Sequence, residues 1–230
     1  MDYERILELT YSQIIKNGDQ VIDIGAHSGR HSKPMAALVG SRGSVIAFEP
    51  NPLARQWFED NLGMAIDAGI VTVLPYAVSN VVKKSTFVVA NDRPEESGLK
   101  KRLYNGPTTT SEVDVDVVTL DSQISRFLGD PSFIKIDVEG AEFDALKGAS
   151  QTLTNSRPIV AFEFGESSYS AYDVQPAQLF DYLSEQGYFV YLILGQRLSK
   201  ATFIEASKAQ LFWDYFACPV EKQALIETAF

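Results

Sequence analysis

The chain reads as an α/β fold, and three observations predict it. Short apolar runs alternate with amphipathic stretches of helical spacing along most of its length. The run Val21-Ile22-Asp23-Ile24 breaks into a turn with two glycines, Gly25-Ala26-His27-Ser28-Gly29, and a helix follows. A second run, Ser44 to Phe48, ends at Glu49, one strand–helix–strand unit further on. Strand, glycine turn and helix open a nucleotide-binding sheet whose ligand lies beyond the strand ends.

Each element has its own signal. Asp2 caps a helix over about 2–17, an addition ahead of the first core strand that can cover the cofactor side, with Asn17-Gly18 as its stop. Gln20 to Ile24 is the first strand. His31 to Val39 is the first crossover helix, with Pro34 in its first turn, where a missing N–H does little harm. Its sequence leaves His31 exposed. After the second strand, Glu49-Pro50-Asn51 leads into a helix over 53–66 with Trp57, Phe58, Leu62 and Ile66 inward. Ile70 to Leu74 is a third strand, and Pro75 to Ser79 a connection beside it. Thr86–Ala90 and Val113–Val118 are strands flanking an inserted loop over about 91–112, polar and rich in Gly and Pro, read as a substrate-side flap. A helix runs from Thr119 to Phe127, and Phe133 to Asp137 is the fourth core strand. Glu139 helps to start the next helix, which ends at Gly148. Pro158–Glu163 is the fifth strand, 164–173 an aromatic loop, Pro176–Gln186 a helix, Tyr188–Leu194 a strand and Asp214–Cys218 the last strand, before a helical tail. No repeat or domain boundary interrupts this series, so residues 1–230 are expected to form a single domain.

Composition narrows the function. The chain has 230 residues, 45% hydrophobic and 22% charged, with a net charge of -10. An acidic surface without a long Lys/Arg run argues against a nucleic-acid partner. No apolar stretch reaches membrane-spanning length and no signal-peptide pattern is seen, so a cytoplasmic enzyme with no membrane partner is expected. The one cysteine, Cys218, excludes an internal disulfide and a cysteine-based metal site, and its apolar flanks make it a core residue.

The turn carries the cofactor signal. Gly25 can take backbone angles closed to other residues, and Gly29 lets the helix approach the strand or ligand. The helix N-terminus offers free N–H groups. A dinucleotide fingerprint wants its second glycine where His27 stands, so a tight pyrophosphate approach is disfavoured. An acid two residues ahead of the first glycine suits S-adenosylmethionine, whose amino group is a cation. Glu49 stands where such folds bind ribose hydroxyls, and Ala77 and Val78 are small enough to flank adenine. Asp23, Asp137 and Glu163 converge at one rim if their strands are neighbours. Lys135, two residues before Asp137, is expected to pair with one of these acids.

These segments together resemble the FkbM-type family of S-adenosylmethionine-dependent methyltransferases. The resemblance rests on Val21-Ile22-Asp23-Ile24-Gly25-Ala26-His27-Ser28-Gly29, Ala47-Phe48-Glu49-Pro50-Asn51, Pro75-Tyr76-Ala77-Val78-Ser79, Val118-Thr119-Leu120-Asp121 and Phe133-Ile134-Lys135-Ile136-Asp137-Val138-Glu139-Gly140-Ala141-Glu142. It covers roughly residues 18 to 220. It implies a Rossmann-like seven-stranded sheet, mostly parallel with the last strand antiparallel, helices on both faces, and S-adenosylmethionine as methyl donor. The implied cofactor-binding residues are Asp23, Gly25, Ala26, His27, Gly29, Glu49, Pro50, Asn51, Ala77, Val78 and Asp137. His27 departs from the family, which often has asparagine there.

The implied reaction is O-methylation of a small-molecule hydroxyl, on a natural product or sugar. A hydroxyl must lose its proton during attack, so a general base or a metal is expected. Glu163, Glu139 and His31 are the base candidates. Asp137 and Glu163 also offer hard oxygen donors to a divalent metal such as magnesium, an alternative that is open but not favoured. Two rival functions use the same fold: a non-catalytic S-adenosylmethionine-binding scaffold and, less favoured, a nicotinamide-dependent oxidoreductase. The acceptor and the oligomeric state, including a homodimer, stay open at this stage.

Overall fold

The structure, a computed structural model, describes residues 2–124, 129–210 and 212–230. The chain opens with α1 (Tyr3–Ile14), whose first turn is capped by the Asp2 carboxylate accepting from Arg5 N at 3.0 Å. Then come β1 (Gln20–Ile24), α2 (Ser32–Val39), β2 (Ser44–Phe48), α3 (Pro52–Asp67) and β3 (Val71–Leu74). A small second layer follows: β4 (Tyr76–Val78), β5 (Lys83–Ala90) and β6 (Thr110–Val118). The chain returns through α4 (Leu120–Ile124), β7 (Pro131–Ile136), α5 (Glu142–Lys147), α6 (Ser150–Asn155) and β8 (Ile159–Glu163). It ends with α7 (Glu166–Tyr169), α8 (Pro176–Glu185), β9 (Tyr188–Leu192), α9 (Lys200–Ala209), β10 (Asp214–Pro219) and α10 (Gln223–Glu227).

The main sheet has seven strands in the order β3-β2-β1-β7-β8-β10-β9. All neighbours are parallel except β10, which runs antiparallel to both β8 and β9. The expected sheet, with its reversed last strand, is what the chain forms. Alternate side chains on each strand feed two cores. Ile22, Ile46, Ile134, Val160 and Ala217 face one side, with Leu146, Leu179 and Phe203 of the helices there. Val21, Val45, Phe133, Ile159 and Phe216 face the other, against Tyr11 of α1, Met35 of α2 and Phe58 of α3. After β3 the chain crosses back to place β7 beside β1 on the side away from β2. The order of the strands reverses at β1 and β7, so a crevice opens beyond their carboxyl ends.

Four expectations change. Residues 76–78 are not a bare connection but β4, pairing with β6 in a separate three-stranded sheet, β4-β6-β5. The supposed loop 164–173 is largely helical, with α7 and a further 3-10 turn at Ser170–Tyr172. Its serine and aromatic content hid this, because Phe164 and Tyr169 stack on each other at 4.4 Å rather than marking a helical face. Helix α9 lacks a strong apolar stripe and was not expected at all. Ser199 starts it, its hydroxyl accepting from Thr202 N at 3.3 Å. On α3, Phe58 and Leu62 are buried as expected, while Trp57 and Ile66 are only partly so. The end of the expected 119–127 helix lies outside the described residues. Cys218 is buried.

Candidate active site

The crevice at the strand reversal holds a cavity of about 310 Å³. That lies within the size range of small-molecule sites. Its floor is the turn after β1. Gly25 and Ala26 both donate backbone N–H to Phe48 O, at 3.0 and 3.1 Å, which ties the turn to the end of β2. Gly25 has φ +82, and a Cβ there would lie 1.7 Å from Asp137 O. Only glycine fits. His27 follows in the left-handed region with φ 47. That region admits Asn, Asp and His more readily than other residues with a side chain, so histidine can hold this turn. Its ring meets Trp57 edge-on at 5.7 Å and its Nε2 is buried without a partner. Burial lowers its pKa and keeps the ring neutral.

Two acids are held rigidly around this turn. Ser32 Oγ donates to Asp23 Oδ2 at 2.6 Å, while Asp23 Oδ1 is buried with no partner in the protein. Glu49 accepts His27 N at 2.8 Å on one oxygen and Asn51 N at 2.7 Å on the other. These bonds fix the carboxylate, yet burial dominates and raises its pKa to about 7. Asn51 then caps α3, with Leu53 N donating to its Oδ1 at 3.1 Å. Ala77 and Val78 line the cavity from β4, joined by Tyr76 and by Phe87 of β5.

The third acidic group sits at the sheet's end. Register pairs Asp23 with Lys135 and Lys135 with Ala161, so these side chains share a face. One row further lie Asp137 and Glu163, and Glu163 pairs with Asp214 of β10. Lys135 Nζ donates to Asp137 Oδ2 at 3.0 Å, the ion pair expected from the sequence. Burial disfavours Lys135's charge, but Asp137 and Asp23 outweigh it and its pKa rises. Asp137 is also opposed by burial, yet Lys135 holds it ionised, below the ordinary carboxylate range. Glu163 behaves oppositely. Burial and the charges of Asp137 and Asp214 push it well above that range, so it keeps a proton.

Of the eleven expected cofactor residues, ten line this one cavity: Asp23, Gly25, Ala26, His27, Glu49, Pro50, Asn51, Ala77, Val78 and Asp137. Gly29 does not. With φ +83 and a would-be Cβ 2.3 Å from Leu62 Cδ1, it serves the packing of the turn on α3. All three base candidates reach the cavity. His31, expected on the surface, is only 5% exposed. Tyr11 Oη lies 3.2 Å from its Nδ1, and Glu4 meets its Nε2. Both ring nitrogens are thus engaged by α1. The hydrogen bond from His31 pulls the pKa of Glu4 down to about 2. Glu139 does not start α5. That helix begins at Glu142 with no side-chain cap, and Glu142 Oε1 instead holds the preceding turn, accepting from Val138 N and Gly140 N at 3.0 Å each. Glu139 instead has φ 58 and pairs with Arg102, whose Nη2 also donates to Ser167 Oγ at 2.7 Å. The carboxylates of Asp137, Glu139 and Glu163 approach within 4.8 Å of one another. Lys135 and Arg102 are already the cations at this cluster.

The inserted segment forms a roof. Pro94, Glu95, Ser97 and Leu99 line the cavity from above. Gly98 pairs with Val88 of β5, and Lys100 N donates to Tyr172 Oη at 3.0 Å. Sequence reasoning missed Glu4, Arg30, Arg102 and Asp214. Arg102 lay in a segment already marked as functional. Asp214 becomes visible only once β10 is known to run antiparallel beside β8.

The chain matches the description "Methyltransferase FkbM domain" over residues 23–190. It is 28% identical over 146 residues to the hexuronic acid methyltransferase AglP of Haloferax volcanii, a match covering 62% of this chain and 54% of that protein. The FkbM methyltransferase of Methylobacillus flagellatus shares its fold with a TM-score of 0.54 at 17% identity, over 86% of this chain and 43% of that one. A SAM-dependent O-methyltransferase of Thermotoga maritima gives 0.50 at 16% identity, over 94% and 64%. The chain thus spans about half the length of the first relatives it matches. With the motif segments, the sheet order and the crevice in agreement, the chain belongs to the FkbM methyltransferase family.

Proposed function

We propose that the protein transfers a methyl group from S-adenosylmethionine to an oxygen of a small hydroxylated acceptor of the sugar or natural-product class. One observation carries the cofactor reading. The buried Asp23 Oδ1 has no partner in a cavity that also presents the pinned carboxylate of Glu49. A buried carboxylate oxygen without a partner is costly, and a ligand's ammonium group would satisfy it. Glu49 retains free lone pairs for ribose hydroxyls, and Ala77, Val78 and Phe87 offer apolar surface to a purine.

When bound, S-adenosylmethionine supplies an electrophilic methyl on a sulfonium. The chain's residues do the rest by orientation and proton handling. Asp23 and Asp137 hold positive charge at one end, Glu49 fixes the other, and the 94–99 roof limits water. The acceptor hydroxyl must lose one proton as its oxygen takes the methyl group. Glu163 is the residue to receive it, because His31 is held between Tyr11 and Glu4 and Glu139 is tied to Arg102. Its high pKa makes it an effective base only once it has given up its own proton, so turnover should rise with pH well above the ordinary glutamate range. The name of the Haloferax relative supports a sugar-type acceptor. Against a nicotinamide cofactor stands His27, which occupies the position where a pyrophosphate loop needs glycine.

The test is methyl transfer from labelled S-adenosylmethionine to a panel of neutral and acidic sugars. Glu163→Gln should cut turnover at least a hundredfold, in line with a lost general base, while binding S-adenosylhomocysteine as the wild type does. Full activity in that variant removes Glu163 from the reaction.

A further inference from the structure

Asp23 and Lys135 are direct register partners on β1 and β7, the two strands at which the strand order reverses. Neighbouring strands lie about 4.8 Å apart, so the two side chains rise together from one face of the sheet. They are of opposite sign, yet no ion pair joins them among the described residues. Ser32 Oγ holds Asp23 Oδ2 at 2.6 Å, and Oδ1 is left without a partner. An ammonium has three donors, and Lys135 Nζ uses one of them on Asp137 Oδ2 at 3.0 Å. Among the described residues no other hydrogen bond or ion pair reaches it. Asp23 is fully buried and Lys135 is 5% exposed, and both line the cavity.

Replacing a buried ion pair by apolar side chains is commonly neutral or stabilising, so the pair with Asp137 does not by itself account for a lysine in this strand. The spare capacities of Asp23 and Lys135 fit one kind of ligand end. An α-amino acid carries an ammonium and a carboxylate on one carbon, and both need partners when they leave water. Asp23 Oδ1 accepts from the ammonium, and the carboxylate needs a cation beside it. Arg30 and His31 are the other basic residues that line the cavity. Arg30 is exposed and bound to Glu4, and both ring nitrogens of His31 are engaged by Tyr11 and Glu4. Lys135 is the buried cation with donors to spare.

We propose that Lys135 binds the carboxylate of the methyl donor's amino-acid end while Asp23, its register partner, takes the ammonium, so that two neighbouring strands form a receptor for a zwitterion. The proposal rests on the reading of S-adenosylmethionine as the donor. It gives Lys135 a part in binding that its contact with Asp137 alone does not.

The experiment is a calorimetric comparison of S-adenosylhomocysteine with its decarboxylated analogue, which keeps the amine, on the wild type and on Lys135→Met. The wild type should bind the analogue about tenfold more weakly, in line with the loss of a hydrogen bond between charged groups. Lys135→Met should lose about tenfold toward S-adenosylhomocysteine, bind the analogue no more weakly than the wild type does, and so cease to discriminate between them. Lys135→Gln, which can still donate to Asp137, replaces the methionine variant if that one does not fold. Equal binding of the two ligands by the wild type overturns the proposal without any variant. A variant that weakens both ligands alike shows Lys135 acting only through Asp137, and one that keeps the wild-type discrimination shows the carboxylate held elsewhere; either overturns it too. If the wild type binds no S-adenosylhomocysteine, the donor reading falls and this proposal with it.

Discussion

Glu49 is the residue on which cofactor affinity depends most. Both its oxygens are fixed by backbone N–H groups, so no reorganisation is needed to meet a diol. Hydrogen bonds to a charged group contribute about 1.5–3 kcal/mol. Glu49→Ala should therefore weaken S-adenosylhomocysteine binding roughly ten- to a hundredfold by calorimetry. The pH dependence follows from its sign. With a pKa of about 7 in the free protein, Glu49 is ionised above that pH and protonated below it. Ribose hydroxyls donate to the ionised form, so wild-type affinity should fall as pH drops from 8 to 6, and the alanine variant should lose that Glu49-dependent component. Equal affinity and equal pH dependence in the two proteins would refute the assignment. Such acids were legible in the sequence because each closes an apolar run. Gly29 and His31 were not, because what each touches depends on helices that arrive from elsewhere: α3 for Gly29, α1 for His31.

The inserted segment and α1 are the elements that close the cavity, and neither belongs to the regular strand–helix alternation. Between Gly98 and Thr110 the segment is held by polar contacts rather than apolar packing, among them the Lys100–Tyr172 bond, the Arg102 bonds to Glu139 and Ser167, the Arg93–Asn105 bond and the bonds of Thr109 to Asn91 and Asp92. Lys100 and Lys101 are exposed, while the Arg102 guanidinium is tucked beneath. Segments with few buried apolar contacts open locally at low cost. Trypsin should cut first at Lys100 or Lys101, and saturating S-adenosylhomocysteine should slow that cut severalfold by filling the space beneath Leu99. Cleavage at an unchanged rate with ligand bound would mean that the segment does not cover the ligand. The sequence exposed the segment's composition but not its order. Its anchoring runs through single long-range bonds from Arg102 and Tyr172, and no periodicity signals those. Helix α9 was missed for a related reason: its capping pair, Ser199 and Thr202, is a weak local mark, and only Phe203 and Ser207 are buried.

Seen as one molecule, the chain places its chemistry where topology dictates. The order β3-β2-β1-β7-β8-β10-β9 brings the turn after β1 beside Asp137, and the reversed β10 carries Asp214 to Glu163. The fold class was readable because buried strands and their glycine turns leave local signals. Asp137 and Glu163 at one rim were expected from the sequence, but Asp214 beside them was not, since it depends on the pairing of β8 with a strand about fifty residues further along the chain. Among the described residues no helix is long and apolar enough to cross a membrane. The measurement to make first is calorimetric titration of the wild-type protein with S-adenosylhomocysteine, with NADH as the control. Micromolar binding of S-adenosylhomocysteine and none of NADH is the outcome that the Asp23, Glu49 and His27 geometry requires. Binding of NADH in its place, or of neither ligand, would contradict the methyl-donor site described here.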